Sequence, residues 1–290
     1  MRRMLRLMTC MMMLTVLLAS AAMAGTVVLP MDLTPGLPLM KSCYTDEHTY
    51  EDPTVKLWVT DGFDAETRWW RADVTIAHPS QLRTMPANSF QNAVTTSGRN
   101  MAVRANAVLA VNGDFFSIET QKKGSYVLRQ GTLYSENLLG KSDVLLIDEN
   151  GDFHVYEKPV AGDLATEMNG LQMINGFCFG PTLISGGVKV PVEENGFMAT
   201  DKPRARTALC QVGPLHYAVV CCSGPMAGSK GMTLQEFADL LGGMDLQVAY
   251  NLDGGNSTMM YTGDRMINGN GSLRQISDMV YFASAWDGEE

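Results

Sequence analysis

Residues 233–255 read TLQEFADLLGGMDLQVAYNLDGG, and this stretch decides the expected fold. Thr233 and Glu236 have the spacing of a capping box, and the glycines at 242 and 243 end the helix that it starts. Apolar residues recur on one face of that helix, namely Leu234, Phe237, Ala238 and Leu241. An apolar strand, Gln247–Leu252, comes next and ends in a carboxylate beside two glycines. The stretch therefore predicts a helix packed on a sheet, with an acid delivered to the end of a strand.

Strand patterns dominate the chain on either side of this stretch. Runs with apolar alternation begin near Val55, and turn signals at 150–152, 186–187 and 213–214 each separate two short apolar runs. A second, weaker helix pattern covers Phe90–Val103. Many strands and few helices predict an α+β fold, a mixed β-sheet core with a few flanking helices in a single domain.

The chain divides into three parts by composition. Residues 1–24 place Arg2, Arg3 and Arg6 before an apolar stretch and end in a small-x-small site, the pattern of a secretory signal peptide. The alternative is an uncleaved membrane anchor, for which the interrupted apolar stretch is short. Residues 25–45 are rich in proline and predict an extended lead-in, and residues 46–290 form the domain. We expect a secreted or cell-envelope protein with no stable membrane anchor after cleavage.

The charge balance excludes one class of partner. The chain has 22 Lys and Arg against 31 Asp and Glu, a formal net charge of −9. No basic cluster offsets this balance, so a nucleic-acid backbone is not the expected partner.

Two strand ends carry the candidate polar residues. The first reads AVNGD and supplies Asn112, Gly113 and Asp114. The second reads AYNLDGGNS and supplies Asp253, Gly254, Gly255, Asn256 and Ser257. A carboxylate beside glycines at the end of a strand is well placed to meet a ligand, because glycine permits close backbone approach. The alternative is ordinary turn chemistry, in which Asp bonds only to its own backbone.

A third segment supplies a cation. In KPRARTA, residues 202–208, the fork of Arg206 suits bidentate binding of a phosphate or carboxylate, and Thr207 can donate a hydrogen bond. The alternative for Arg206 is a surface ion pair.

Five segments in order resemble one known family: NGDFF (112–116), FGPTLISGG (179–187), RARTA (204–208), SKGMTLQEFADLLG (229–242) and AYNLDGGNSTM (249–259). From about Asp73 to Phe282 the chain resembles the phosphodiester glycosidases, above all their secreted bacterial members. The resemblance implies hydrolysis of a sugar-1-phosphodiester, such as an N-acetylglucosamine-1-phosphate diester, to free sugar and a phosphomonoester. By matching position it assigns the site to Asn112, Asp114, Arg206, Asp253, Gly254, Gly255 and Ser257.

The chain departs from the family pattern at two places. Cys222-Ser223-Gly224 stands where relatives usually have Asp-Gly-Arg, and Cys210 stands where they usually have glycine. The replacement of Asp-Gly-Arg favours an alternative function, a non-catalytic protein that binds a cell-wall or capsule polysaccharide.

The expected mechanism places charges around the sugar C1–O bond. Asp253 or Asp114 acts as nucleophile or base, with the central role expected for Asp253, and Arg206 clamps the phosphate of a sugar phosphate or phosphate-containing glycopolymer. The sequence requires no cofactor. The alternative chemistry is attack at phosphorus with Ca²⁺ or Mg²⁺ held by Asp114 and Asp253, so the metal question stays open.

Overall fold

A computed structural model describes residues 26–92, 94–114, 125–192, 200–226, 228–269 and 273–288. The signal-peptide prediction for residues 1–24 lies outside these residues. Within the described part of the chain, no helix is long and apolar enough to cross a membrane.

Strands make up most of the regular structure. The two α-helices of the described residues are α1, Gly98–Ala105, and α2, Leu234–Gly242. The strands are β1, Thr49–Glu51; β2, Val55–Asp64; β3, Thr67–Ile76; β4, Leu82–Pro86; β5, Ala107–Asn112; β6, Tyr126–Arg129; β7, Thr132–Glu136; β8, Val144–Asp148; β9, Phe153–Tyr156; β10, Glu167–Met168; β11, Leu171–Phe177; β12, Thr182–Ser185; β13, Val188–Lys189; β14, Arg206–Gly213; β15, His216–Cys222; β16, Val248–Leu252; β17, Met260–Thr262; β18, Arg265–Met266; and β19, Asp278–Ala283.

These strands form three sheets. The largest has the order β1-β2-β3-β15-β14-β16-β12-β13, the second β7-β6-β11-β8-β9 with β10 beside β11, and the third β18-β17-β5-β19-β4. The fold is therefore rich in sheet, with two α-helices in the described residues, rather than a balanced α+β arrangement.

The prediction of a mixed sheet is wrong, since every strand pair in the described residues is antiparallel. The chain passes from β15 to β16 through α2. A helical connection of this kind usually joins parallel strands that are neighbours in a sheet. Here β14 lies between them and is antiparallel to both. The three predicted hairpins, β8–β9, β12–β13 and β14–β15, are confirmed.

The helix predicted from the sequence is confirmed at α2. Thr233 accepts from the Glu236 backbone N–H while Glu236 accepts from the Thr233 N–H, so the capping box is complete. Its four predicted apolar residues are all buried. The prediction of a helix over Phe90–Val103 is wrong at its start, because Ser97 caps α1 and Phe90 packs separately against Val127.

Successive side chains of β14 point alternately into the main core and toward α2. Leu209 packs in the main core with residues of β3, β15 and β16, whereas Ala208 and Cys210 pack against α2. Side chains of successive strand residues point to opposite faces. Thr207 therefore faces the same side as Leu209, and Arg206 faces the side that carries α2.

Asp52 joins the turn before β2 to the chain that follows β19. Its buried carboxylate accepts from Tyr50 Oη at 2.7 Å, from the N–H groups of Thr54 and Val55 at 2.6 and 2.8 Å, and from Ser284 Oγ at 2.6 Å. Buried donors that lose their acceptor keep the full cost of desolvation.

We expect Asp52→Ala to lower the free energy of unfolding by about 3 kcal/mol, because it leaves several buried donors without an acceptor. Urea denaturation of the variant, compared with Asp61→Ala at an exposed position of β2, measures this loss. An equal stability of the two variants would contradict the role given to Asp52.

Candidate active site

The side chain of Asn112 is the structural centre of the site. It ends β5 and is buried. Its Nδ2 donates to the carbonyl of Asp253 at 2.7 Å, and its Oδ1 accepts from Thr207 Oγ1 at 3.0 Å and from the Met259 N–H at 3.3 Å. One amide thus connects the third sheet to β14 and to the loop that follows β16.

Asp114 lies two residues further on and is also buried. Its Oδ2 accepts from Arg129 Nη2 at 3.2 Å and from the Cys178 N–H at 3.0 Å, and its Oδ1 accepts from the Phe179 N–H at 3.3 Å. The same Nη2 of Arg129 donates to Asp278 Oδ2 at 3.0 Å. Two buried carboxylates therefore share one buried guanidinium, and we call Asp114, Arg129 and Asp278 the buried triad.

Gly113 lies directly against the carboxylate of Asp278, a member of the buried triad. A Cβ at this position would lie 2.6 Å from Asp278 Oδ1, so no larger residue fits without a shift of that carboxylate. The carbonyl of Gly113 also accepts from the Asp253 N–H at 3.4 Å. The prediction that close backbone approach requires glycine in this segment has its physical basis here.

Asp253 is the carboxylate of the site that reaches solvent. Its side chain is 13% exposed, its Oδ1 accepts from the Gly254 N–H at 2.8 Å, and its Oδ2 accepts from Arg274 Nη2. The Nε of Arg274 donates to Ser257 Oγ. The Arg274 side chain is 49% exposed.

The two glycines after Asp253 serve different purposes. A Cβ on Gly254 would lie 2.7 Å from the carbonyl of Ala205, so the loop packs tightly against the chain before β14. Gly255 has a φ of +60°, a conformation that side chains disfavour, and its N–H donates to the same carbonyl at 2.8 Å. Asn256 is exposed and its carbonyl accepts from the Arg274 N–H at 3.0 Å.

Burial raises the pKa of all three acids at the site. It raises the pKa of Asp114 to about 6, against the opposing charge of Arg129 and with a further contribution from Asp278. Burial also raises the pKa of the Asp278 carboxyl, again opposed by Arg129. For Asp253 burial raises the pKa, and the Arg274 guanidinium opposes it. Acids whose environments push their pKa values toward neutrality are typical of catalytic sites.

The backbone of Arg206 lies beside Gly254, and its side chain bonds elsewhere. Its Nε donates to the carbonyl of Met232 at 3.1 Å and its Nη2 to the carbonyl of Lys202 at 2.9 Å. Burial lowers the pKa of its guanidinium to about 10. The bonds that are described for Arg206 thus hold it on the face of β14 that carries α2, opposite Thr207. The role of Arg206 as a phosphate clamp stays a prediction.

The departures from the family pattern fall on that same face. Cys222 is the cross-strand partner of Arg206, and both Cys222 and Cys210 pack in the cluster formed with α2. Ser223 bonds to Ser229 and donates its N–H to the Arg68 carbonyl, and so joins the ends of β15 and β3. Neither departure alters Asn112, Asp114 or Asp253.

Three charged residues of the site were not predicted from the sequence. They are Arg129, Arg274 and Asp278. Arg129 ends an apolar strand before Gln130-Gly131, which reads as an ordinary strand end. Arg274 and Asp278 stand in the C-terminal part of the domain, outside the two strand ends that the sequence analysis identified. Among the described residues, no group of three or more His, Cys, Asp or Glu is placed to hold a metal ion.

We expect Gly113→Ala to lower the free energy of unfolding by about 1–3 kcal/mol, because its methyl group must displace the Asp278 carboxylate from Arg129. Gly213→Ala is the matched control, since no atom lies within 4 Å of the added Cβ. Thermal unfolding of both variants measures the difference, and a fully stable Gly113→Ala variant would contradict the packing described.

The chain is similar to known proteins in sequence pattern and in fold. The pattern of the phosphodiester glycosidase family matches residues 105–283, more than half of the chain. The fold is similar to the catalytic domain of zebrafish N-acetylglucosamine-1-phosphodiester alpha-N-acetylglucosaminidase, auto-inhibited by its pro-peptide, with a TM-score of 0.65 and 15% identity over 86% of this chain and 87% of that one.

A hypothetical protein from Synechocystis also shares the fold, with a TM-score of 0.51 and 16% identity over 79% of this chain and 62% of that one. No curated protein sequence matches the chain. At these identities the two structures establish the fold alone, and the family rests on the sequence pattern. The chain belongs to the phosphodiester glycosidase family.

Proposed function

We propose that the protein hydrolyses a sugar-1-phosphodiester, such as an N-acetylglucosamine-1-phosphate diester, to free sugar and a phosphomonoester. The observation that carries this proposal is the pair of Asp253 and Arg274. The carboxylate of Asp253, directly after β16, is ion-paired with Arg274, and the two side chains are 13% and 49% exposed. The family of the chain and its likeness in fold to the zebrafish phosphodiester glycosidase support the reaction class.

Asp253 suits the position opposite the anomeric carbon. Breaking the C1–O bond develops positive charge on the sugar ring, which a carboxylate stabilises as nucleophile or as base for water. The backbone of Asp253 is fixed on two sides, since its carbonyl accepts from Asn112 and its N–H donates to Gly113. A carboxylate on a fixed backbone loses little entropy when it meets the substrate.

Arg274 takes the role that the sequence had suggested for Arg206. One side of its guanidinium bonds to Asp253 and Ser257, which orients the fork. A phosphate placed on the exposed part of the cation would have its developing charge stabilised as the sugar departs. Preorganised contacts of this kind contribute about 3 kcal/mol to transition-state binding.

The proposal includes the setting in which the protein acts. The signal pattern of residues 1–24 supports secretion or a place in the cell envelope, with no membrane anchor after cleavage. The partner is a sugar phosphate or a phosphate-containing glycopolymer, including exopolysaccharide, and an acidic chain does not favour nucleic acid.

We expect Asp253→Asn to lower kcat at least about 100-fold on UDP-N-acetylglucosamine or a sugar-phosphate aryl ester, because the charge opposite the anomeric carbon is lost. Asp245→Asn, at an exposed position outside the site, is the control and keeps full activity. The companion variant Arg274→Gln removes the cation and raises KM together with a fall in kcat.

Full activity of Asp253→Asn would remove this residue from the mechanism. Binding of a phosphate-containing polysaccharide by the wild-type protein, with no turnover on prolonged incubation, would instead support the alternative of a non-catalytic binding protein.

Hydrolysis in ¹⁸O-labelled water distinguishes two routes. We expect the label in the released sugar, because Asp253 is assigned to the anomeric carbon and the C1–O bond breaks. Label in the phosphomonoester, detected by mass spectrometry, would mean attack at phosphorus, the route in which Asp114 and Asp253 hold a divalent ion.

A further inference from the structure

Helix α2 covers only part of the largest sheet, on the side that faces away from the main core. The buried residues of the cluster under α2 come from β12, β14, β15 and β16, and among the described residues none comes from β2 or β3. On β3, Trp70, Ala72 and Val74 point to the main core, so their neighbours in sequence point outward. The outward side chains of the two strands form what we call the outer β2–β3 face, made of Trp58 and Thr60 of β2 and of Trp69, Arg71 and Asp73 of β3.

Trp58 is the most exposed aromatic residue of this face. It is 42% exposed, and its ring centroid lies 6.2 Å from that of His216. Because His216 belongs to β15, and β3 lies between β15 and β2, the indole reaches across β3. An exposed indole that extends across a sheet offers an apolar ring surface on which the apolar face of a ligand ring can stack.

A rigid ion pair lies next to this indole. Asp73 is the cross-strand partner of Trp58, and its buried carboxylate accepts from Arg71 Nε at 2.8 Å and from Arg71 Nη2 at 2.6 Å. Two parallel bonds hold the guanidinium plane in one geometry. Arg71 Nη1 has no acceptor among the described residues, and the side chain is 19% exposed. This nitrogen is therefore a preoriented hydrogen-bond donor beside the indole.

Trp69 stands at the other end of the face. It is half-buried, packs against the cluster under α2 and is the cross-strand partner of Gly62. A Cβ on Gly62 would lie 2.3 Å from Trp69 Cζ2, so the indole lies directly over the glycine. Trp58 and Gly62 are four positions apart on β2, a separation of about 13 Å along the strand. The exposed Thr60 lies between them, and the face is long enough for more than one ring of a ligand chain.

The face leads to the end of the sheet that holds the candidate active site. Trp69, Cys222 and Arg206 are successive cross-strand partners on β3, β15 and β14. Asp253 directly follows β16, the next strand of the sheet, and continues this row. Three strand spacings, about 14 Å, separate the first and last positions of the row. A polymer that lies on the face is thus held within a short distance of Asp253.

The charge of the face favours a sugar chain as its occupant. Its charged members, Arg71 and Asp73, neutralise each other, and the remaining members are two indoles and one threonine hydroxyl. Sugars combine apolar ring faces with hydroxyl groups, and this surface combines aromatic rings with hydrogen-bonding groups. The chain as a whole has a formal net charge of −9, so an anionic glycopolymer meets less repulsion on a neutral face than elsewhere.

We propose that the outer β2–β3 face binds the sugar chain of a phosphate-containing glycopolymer, with Trp58 as the stacking surface and Arg71 Nη1 as a donor to its hydroxyl groups. The inference rests on the proposed function, because the polymer held here is the one whose phosphodiesters Asp253 would meet. A second contact with the same polymer raises the effective concentration of its phosphodiesters at the site. The face therefore acts on KM for long substrates and leaves the chemical step unchanged.

We expect Trp58→Ala to raise KM about tenfold for an oligomer of N-acetylglucosamine units joined by 1-phosphodiesters, because one stacking contact is lost. The kcat on this oligomer should stay unchanged. On UDP-N-acetylglucosamine, which is too short to reach both places, kcat and KM should equal those of the wild type. Steady-state kinetics of the two substrates measure the difference.

The matched control is Phe63→Ala. Phe63 is another exposed aromatic residue of β2, at 62% exposure, and strand alternation places it on the opposite face from Trp58. We expect it to leave KM for the oligomer unchanged. An equal rise in both variants, or an equal loss of activity of Trp58→Ala on both substrates, would overturn the inference. Dimerisation of the wild type that Trp58→Ala abolishes, seen by light scattering, would assign the face to a second copy of the chain instead.

Calorimetric titration of the same oligomer separates this inference from the proposed function. In an Asp253→Asn background we expect Trp58→Ala to weaken binding of the oligomer about tenfold. If this loss is observed and the wild type cleaves neither substrate, the proposed function fails and the binding face stands. If the wild type cleaves UDP-N-acetylglucosamine and Trp58→Ala binds the oligomer as tightly as its parent, the face fails and the proposed function stands.

Discussion

The hydrogen bonds of the Asn112 side chain are the constraint on which the site depends. The amide of this residue at the end of β5 bonds to Thr207 of the largest sheet, to the Met259 N–H before β17 and to the carbonyl of Asp253. An amide that uses both its donor and its acceptor in a buried position tolerates no shift of its neighbours. The position of Asp253 is therefore a consequence of how two sheets meet.

Strand alternation separates the side chains of Thr207 and Arg206. The two residues are adjacent in sequence and point to opposite faces of β14. Thr207 bonds to Asn112, whereas Arg206 bonds to the Met232 carbonyl on the face that carries α2. The cation at the solvent-exposed part of the site is Arg274, from the C-terminal segment, and the buried cation is Arg129. The site thus contains a partly exposed ion pair, Asp253 and Arg274, and the buried triad, whose Asp278 carboxylate lies against Gly113.

Local patterns in the sequence predicted the parts of the fold that local physics determines. The capping box and apolar face of α2, the three hairpins and the two strand ends that carry Asn112 and Asp253 all follow from spacing and turn chemistry. The pairing of β14 between β15 and β16 does not, because strand order depends on contacts distant in sequence. This is why a mixed sheet was expected and an antiparallel one is found.

The same distinction holds for the site. Glycines beside acids at strand ends predicted Asp114 and Asp253 as site residues, and the bonds of Asn112 and Gly113 to the backbone of Asp253 connect the two segments. Arg129 carries no local signal, because its apolar strand gives no reason to expect a cation buried between two aromatic rings. The face of β14 on which Arg206 lies also depends on which sheet covers it, and a single sequence does not contain that information.

A crystal structure of Asp253→Asn soaked with N-acetylglucosamine-1-phosphate tests the proposed site most directly. We predict phosphate density beside Arg274, with the anomeric carbon facing position 253 and the sugar next to Gly113. Density on the α2 face near Arg206, with Arg274 unoccupied, would contradict it.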